Sequence, residues 1–434
     1  MSNTKKDKQF FTVARVFFLL IVIPLSLMAI LIANGIFKLG VTAREKAVTV
    51  LDPKSQEGIK ILAANVADEV AGFLKERKKD LLVATILPQT EASYKQFVNE
   101  NKKDIWTKQD GKIVKVSIPL YPEMAYIDKN GTELIKIVNG EAVPKDKLVN
   151  VANPANTMYK NEDYFAKAKT LNKGEVYVSR VTGWYVNRSD FDKGKRFAGI
   201  IRFSTPLFDK DGFAGVLEFA LDVRHLAEYT DHILPTQPEP VYEADTATGN
   251  YAFMVDNRGF VISHPADYHI TGLKEDGTQV PPLEAATSTE LVKKGEEVFN
   301  IGLLGFMDPN LPQIAGEAYE GKLGMKTYKL GGREKFVAYA PVRFETKDYP
   351  LPGGFGWVGI GIDVDAYNTL ALQAAQNIEK EAKSWTSTII LIMIVSMVLL
   401  FFILYLLSRG ISRSIASEVP AGSEGPGDYY SDED

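Results

Sequence analysis

Ala125-Tyr-Ile-Asp128-Lys-Asn-Gly131 returns later in the chain as Phe253-Met-Val-Asp256-Asn-Arg-Gly259. Each copy reads as a strand, an Asp that caps a tight turn, a Gly for a positive-φ position, and a returning strand. Two further landmarks recur in the same order. Ser204-Thr-Pro206-Leu-Phe is echoed by Tyr339-Ala-Pro341-Val-Arg, and Leu221-Asp222-Val223 by Ile362-Asp363-Val364. The separation between copies widens along the chain, as a small insertion in the second copy would require. A repeat of this kind predicts two related β-rich modules, residues 94–234 and 235–367. The prolines of Pro235-Thr-Gln-Pro238-Glu-Pro240 mark the hinge between them. The Gly- and Pro-rich stretch 272–332 reads as loops around one short helix near Leu283–Lys294.

Working outward, the modules are preceded by a helical stretch within residues 38–93. There Ile59, Leu62, Val66, Val70, Phe73, Leu74 and Leu81 recur at three- and four-residue steps, an apolar stripe opposite a charged face. Pro88 ends it. Beyond it on one side, and beyond a connecting helix (368–386) on the other, lie two stretches without a charged side chain, Val16–Phe37 and Ser387–Leu407. About 20 residues of helix at about 1.5 Å each cross a bilayer of about 30 Å, so both predict transmembrane helices, 16–37 and 387–407. The first is too long for the apolar core of a cleaved leader. Lys5, Lys6, Lys8 and Arg15 before the first span, with Arg409 and Arg413 after the second, predict cytoplasmic termini, 1–15 and 408–434. Residues 38–386 would then be periplasmic or extracellular, beyond a plasma (inner) membrane.

Composition narrows the function. The chain has no cysteine, which excludes disulfides, thiolate metal sites and Cys nucleophiles. A net charge of −5 with dispersed basic residues predicts no nucleic-acid partner. The four histidines, His225, His232, His264 and His269, show neither metal-ligand spacing nor a nucleophile–base pattern. His264-Pro265 reads as turn capping, as does Asp308-Pro-Asn310. No Gly-rich phosphate loop opens a helix. A non-enzymatic protein without cofactor or metal is expected.

The ordered set of features resembles the double Cache (tandem PAS-like) extracytoplasmic sensor domains of bacterial receptors. The residues that carry the resemblance are the long post-membrane helix, Asp163-Tyr-Phe-x-x-Ala168, Tyr177-Val-Ser179, Ser204-x-Pro206, Gly215-Val-Leu…Leu-Asp222-Val, Val261-Ile-Ser-His264-Pro265…Gly272 and Gly359-x-Gly-Ile-Asp363-Val-Asp365. The resemblance implies an α+β fold: two PAS-like antiparallel-sheet modules on a long N-terminal helix, flanked by the two membrane helices. It also implies a small-molecule pocket in the first, membrane-distal module, a homodimer joined through the long helix, and signalling in chemotaxis or a related pathway. Ser408-Arg-Gly-Ile-Ser-Arg413-Ser-Ile415 resembles the start of a HAMP linker, although the expected proline is displaced to Pro420. The acidic 421–434 segment that follows is too polar to fold alone. Output is therefore expected on a cytoplasmic partner chain, or lost by truncation.

In amino-acid-binding members the pocket holds an Arg, a Trp and a Tyr ahead of a strand Tyr and two Asp. Those positions fall here near Glu162, Tyr164 and Phe165, with Tyr177 as the strand tyrosine and Ala220 where the last Asp is expected, so the match does not favour an amino acid. Tyr126, Tyr164, Tyr177, Trp184, Tyr185, Arg202 and Ser204 are the candidate ligand-binding residues, an aromatic set around one cation. Arg202 sits in an otherwise apolar strand and needs a carboxylate, from a ligand or from the protein, with Glu218 the nearest candidate. The competing function is a membrane-anchored scaffold that binds a protein partner.

Overall fold

The computed structural model describes residues 19–39, 42, 53–237 and 239–418. The basic leader, Pro238, Pro420 and the acidic tail lie outside the described residues. The helices are α1 (Leu19–Leu39), α2 (Pro53–Ala84), α3 (Glu91–Glu100), α4 (Tyr164–Lys169), α5 (Arg188–Asp192), α6 (Arg224–Ala227), α7 (Ser288–Lys293), α8 (Asn310–Tyr319) and α9 (Val364–Glu418). α1 and the Gln376–Leu407 part of α9 are long and apolar enough to cross a membrane. They belong to one unit, and Leu51–Asn368 forms a second, compact body.

That body is built on two antiparallel sheets. A lone hairpin comes first, β1 (Lys102–Gln109) with β2 (Lys112–Pro119). The first sheet takes β3 (Glu123–Asp128), β4 (Glu133–Val138), β5 (Glu141–Ala142), β6 (Tyr177–Val178), β7 (Thr182–Gly183), β8 (Gly199–Asp209) and β9 (Gly212–Asp222) in the order β5-β4-β3-β9-β8-β6, with β7 also on β8. The second takes β10 (Tyr251–Asp256), β11 (Val261–Ser263), β12 (Gly324–Leu330), β13 (Arg333–Val342) and β14 (Gly356–Asp363) in the order β11-β10-β14-β13-β12. The order β4-β3-β9-β8-β6 is therefore repeated strand for strand in the second sheet. The turn glycines of the repeat, Gly131 and Gly259, both sit at φ +91°, and Asp128 and Asp256 each accept backbone N–H groups from their own turn.

The two sheets diverge in what stands on corresponding rungs. In the first, Glu123, Ala220 and Arg202 lie side by side, followed two residues on by Ala125, Glu218 and Ser204. In the second, the same places hold Tyr251, Gly361 and Val337, then Phe253, Gly359 and Tyr339. One sheet face is charged where its counterpart is apolar. On the opposite face of the first sheet, Met124, Leu217, Phe203 and Phe219 join the stripe of α2, where Ala63, Val70, Leu74 and Leu81 are fully or nearly fully buried, in one continuous core. That core is the main stabilising term of the body.

β1, within the first module, is rich in lysine and buries only Ile105, so no apolar alternation marks it in the sequence. The 272–332 stretch holds α7 near the expected place and a second helix, α8. Pro309 and Pro312 disguise α8, although both fall where a helix start tolerates proline.

A Cβ on Gly359 would lie 2.4 Å from the Phe253 ring. Gly359→Ala is expected to destabilise the body by about 1–3 kcal/mol, as overpacking does. Gly174→Ala, where an added Cβ meets no neighbour but φ is +86°, carries only the backbone cost. Chemical denaturation of the two variants should separate them in that order.

Candidate functional site

The charged rungs bury a guanidinium among carboxylates. Arg202, 1% exposed, donates from Nε to Glu162 at 2.7 Å and from Nη1 to Glu123 at 2.7 Å. The same Nη1 reaches both oxygens of Glu218 at 3.1 and 3.2 Å. The Tyr164 ring lies 4.8 Å from the guanidinium carbon. Lys136 extends the network, 2.9 Å from Glu133 and 3.7 Å from Glu123. Strand pairing explains the assembly: Ala125 and Ala220 are small, so the long side chains beside them can converge above the sheet. Glu162 arrives from the loop ahead of α4, and its carboxylate also accepts the Tyr159 N–H at 3.1 Å.

Four carboxylates against two cations leave this cluster with surplus negative charge. Burial, reinforced by Glu123, pushes Glu218 up to about 7 despite Arg202. Glu123 is also desolvated, but Arg202 and Lys136 outweigh burial and hold it below the usual carboxylate range. Burial drives the Tyr164 hydroxyl far up, so it stays protonated.

Glu162 and Arg202 form part of the floor of a cleft of about 310 Å³. Asp163, Tyr164 and Tyr177 line it from the first-sheet side, and Arg258, Asp348 and Tyr349 from the second. Tyr177 donates to Asp163 at 3.2 Å, and Tyr349 donates across the cleft to the Ser179 carbonyl at 2.8 Å. Arg258 is held in a two-pronged pair with Asp256.

Of the seven residues singled out from sequence, Tyr164, Tyr177 and Arg202 line the cleft. Ser204 lies beneath α4, its hydroxyl 3.4 Å from the Tyr164 carbonyl. Tyr126 stands on the opposite sheet face and packs into the main core, because strand alternation turns it away from Ala125 and Ile127. Trp184 packs on Tyr159 with ring centroids 5.0 Å apart. Tyr185 is structural in its contacts: its hydroxyl lies 3.0 and 3.1 Å from the carbonyls of Tyr268 and Gly295 and accepts the Glu297 N–H. The carboxylates that Arg202 requires come from the protein, Glu218 with Glu123 and Glu162. The second-sheet wall went unnoticed in the sequence because nothing local marks Arg258, Asp348 and Tyr349 as neighbours of Tyr177. His264 is a turn cap, accepting the Ala266 N–H at Nδ1, and Asp308 caps Asn310 in the same manner.

No protein-family model matches the chain, nor does any curated protein sequence. Among solved structures it is similar to the extracellular domain of a protein designated a histidine kinase, at 13% identity and a TM-score of 0.43, over 78% of this chain and 99% of that one. It is similar to the ligand-binding domain of the Pseudomonas fluorescens chemoreceptor CtaA, solved with L-isoleucine (13% identity, TM-score 0.39, 73% and 95% covered). It is also similar to that of the Pseudomonas aeruginosa amino-acid chemoreceptor PctC, solved with GABA (15% identity, TM-score 0.37, 71% and 97% covered).

Arg202→Met would leave Glu162, Glu123 and Glu218 without the guanidinium, with Lys136 the one cation remaining in the described cluster. Removing one partner of a buried ion cluster is strongly destabilising, so a loss of about 3–5 kcal/mol is expected at neutral pH. The deficit should shrink as pH falls and the orphaned carboxylates take up protons. Denaturant titrations at two pH values check this, and a pH-independent loss would contradict the charge assignment.

Proposed function

We propose that this chain is a membrane-anchored sensor of the double Cache type, which binds a small organic ligand in the cleft above Arg202. In this reading residues 38–386 face away from the cytoplasm, both termini lie inside, and two copies pair along α2. The observation that carries the proposal is the cleft itself, which is walled by both sheet bodies. Its volume suits a small molecule, and its lining mixes aromatic faces with charged groups. A ligand there touches first-sheet and second-sheet residues together, so its binding energy can favour one arrangement of the two over another. The second sheet continues directly from β14 into α9, which makes it the natural relay toward the membrane. The same lining supports binding rather than catalysis, since its tyrosines are held protonated and no nucleophile–base pair stands in it.

Glu162 occupies the place where amino-acid-binding relatives are expected to carry an Arg, and its carboxylate is already engaged by Arg202. An α-carboxylate would find no free guanidinium at Glu162 and would have to pair with Arg180 elsewhere on the lining. The reading therefore favours ligands recognised through aromatic contact and through the unpaired rim groups Lys167, Arg180 and Asp348.

A thermal-shift screen of the full chain in lipid nanodiscs, against amines, organic acids and aromatic metabolites, tests the proposal. A true ligand at a hundredfold excess over its Kd stabilises by about 2.7 kcal/mol. Gln279→Trp, which narrows the mouth of the cleft, should abolish that shift while leaving the unliganded melting point nearly unchanged. A screen without stabilisation by any compound, or a shift indifferent to Gln279→Trp, would refute it.

A further inference from the structure

We propose that Asp231 and Asp267 form a proton-operated latch across the seam between the two sheet bodies, closed when they are protonated and loosened when both ionise. Each carboxylate makes its hydrogen bond to the other body. Asp231, just beyond α6, accepts the hydroxyl of Ser263 on β11 at 3.2 Å, and Ser263 also lies 2.6 Å from the Thr230 hydroxyl. Asp267, in the turn after β11, accepts the backbone N–H of Phe197, which leads into β8. The chain thus crosses the seam in both directions, each time onto an aspartate.

The surroundings do not neutralise them. Asp231 faces Asp267, His232 and Glu243, and Asp267 faces Arg196 and Glu243. Both neighbouring cations have partners of their own: Arg196 lies 3.4 Å from Glu243, and His232 lies 3.1 Å from Glu228. Ionising both aspartates therefore sets two like charges into a seam where Asp267 is buried and Asp231 half-buried. Burial, with the nearby Asp267 charge added, pushes Asp231 up to about 7. Burial likewise pushes Asp267 up to about 6, against the opposing pull of the Phe197 N–H and Arg196.

The sign follows. In an opened seam both groups return toward the ordinary aspartate value near 3.8. Closed-state values above open-state ones mean that closure is fully supported only below the open-state value. Support is lost as pH rises through about 6 to 7, and the penalty is constant above that. The latch would make the coupling between the cleft and the second sheet depend on the acidity outside the membrane.

Hydrogen–deuterium exchange on the full chain in nanodiscs tests the latch without any ligand. After correction for intrinsic chemistry, seam peptides containing Phe197 and Ser263 are expected to lose protection by roughly fiftyfold between about pH 5 and 6, the two aspartates acting together. Core peptides of β3 should hold theirs. The double variant Asp231→Asn, Asp267→Asn keeps hydrogen-bonding oxygens without the charge, and should flatten the profile. A wild-type seam as protected at pH 8 as at pH 5 overturns the proposal on its own, even if the double variant fails to fold. A double variant with an unchanged pH profile overturns it as well.

Discussion

A guanidinium withdrawn from water needs carboxylates on every side, and in this protein that demand fixes the geometry of the candidate site. Arg202 can be buried only because β3, β9 and the loop before α4 each deliver a glutamate to it. The ion cluster is a weak source of net stability, since desolvation of the charges offsets much of their attraction. Its consequence is positional. Glu162 ties the α4 loop to the sheet at one point, so Tyr164 and Asp163 are held at the edge of the cleft rather than free to collapse into it.

Stability comes from the other face. The stripe of α2, α3 and the apolar face of the first sheet form one core that continues into the second sheet. With that face supplying the burial, the opposite face is free to carry charges whose pairing is costly. This division of labour also accounts for the tyrosines. Tyr126 and Tyr121 serve the core, Tyr185 ties the two bodies together, and among the described residues Tyr164, Tyr177 and Tyr349 are the tyrosines that reach the cleft.

Much of this was legible in the sequence, for local reasons. The two long apolar helices, the stripe of α2, the Asp–Gly turns and the duplicated landmarks all depend on residues close together in the chain, where periodicity and turn chemistry act directly. Arg202 stood out because a cation in an apolar strand violates its surroundings, and the pairing with Glu218 followed from strand adjacency. The rest of the site is long-range. Glu123 and Glu162 lie 79 and 40 residues from Arg202, and Tyr349 lies 170 residues from Ser179, so no local signal joins them. The aromatic pocket imagined from composition failed to gather Tyr126, Trp184 and Tyr185, because a tyrosine in a strand declares its face only once the register is known.

The duplication gives the chain two sheets of one order, and the register shows how they have parted. Where the first sheet sets Glu123, Ala220 and Arg202 abreast, the second sets Tyr251, Gly361 and Val337. Where the first has Ala125, Glu218 and Ser204, the second has Phe253, Gly359 and Tyr339. The glycine is the reciprocal of the charge: with no Cβ at Gly359, the Phe253 ring lies against the middle strand of the second sheet, at the place where the first sheet carries Glu218. A packed aromatic interior has little room to respond to a solute, whereas a charged one beside a cleft responds to any group that alters its pairing. The asymmetry leaves a charged face to the first sheet and a packed aromatic face to the second, on the same backbone plan.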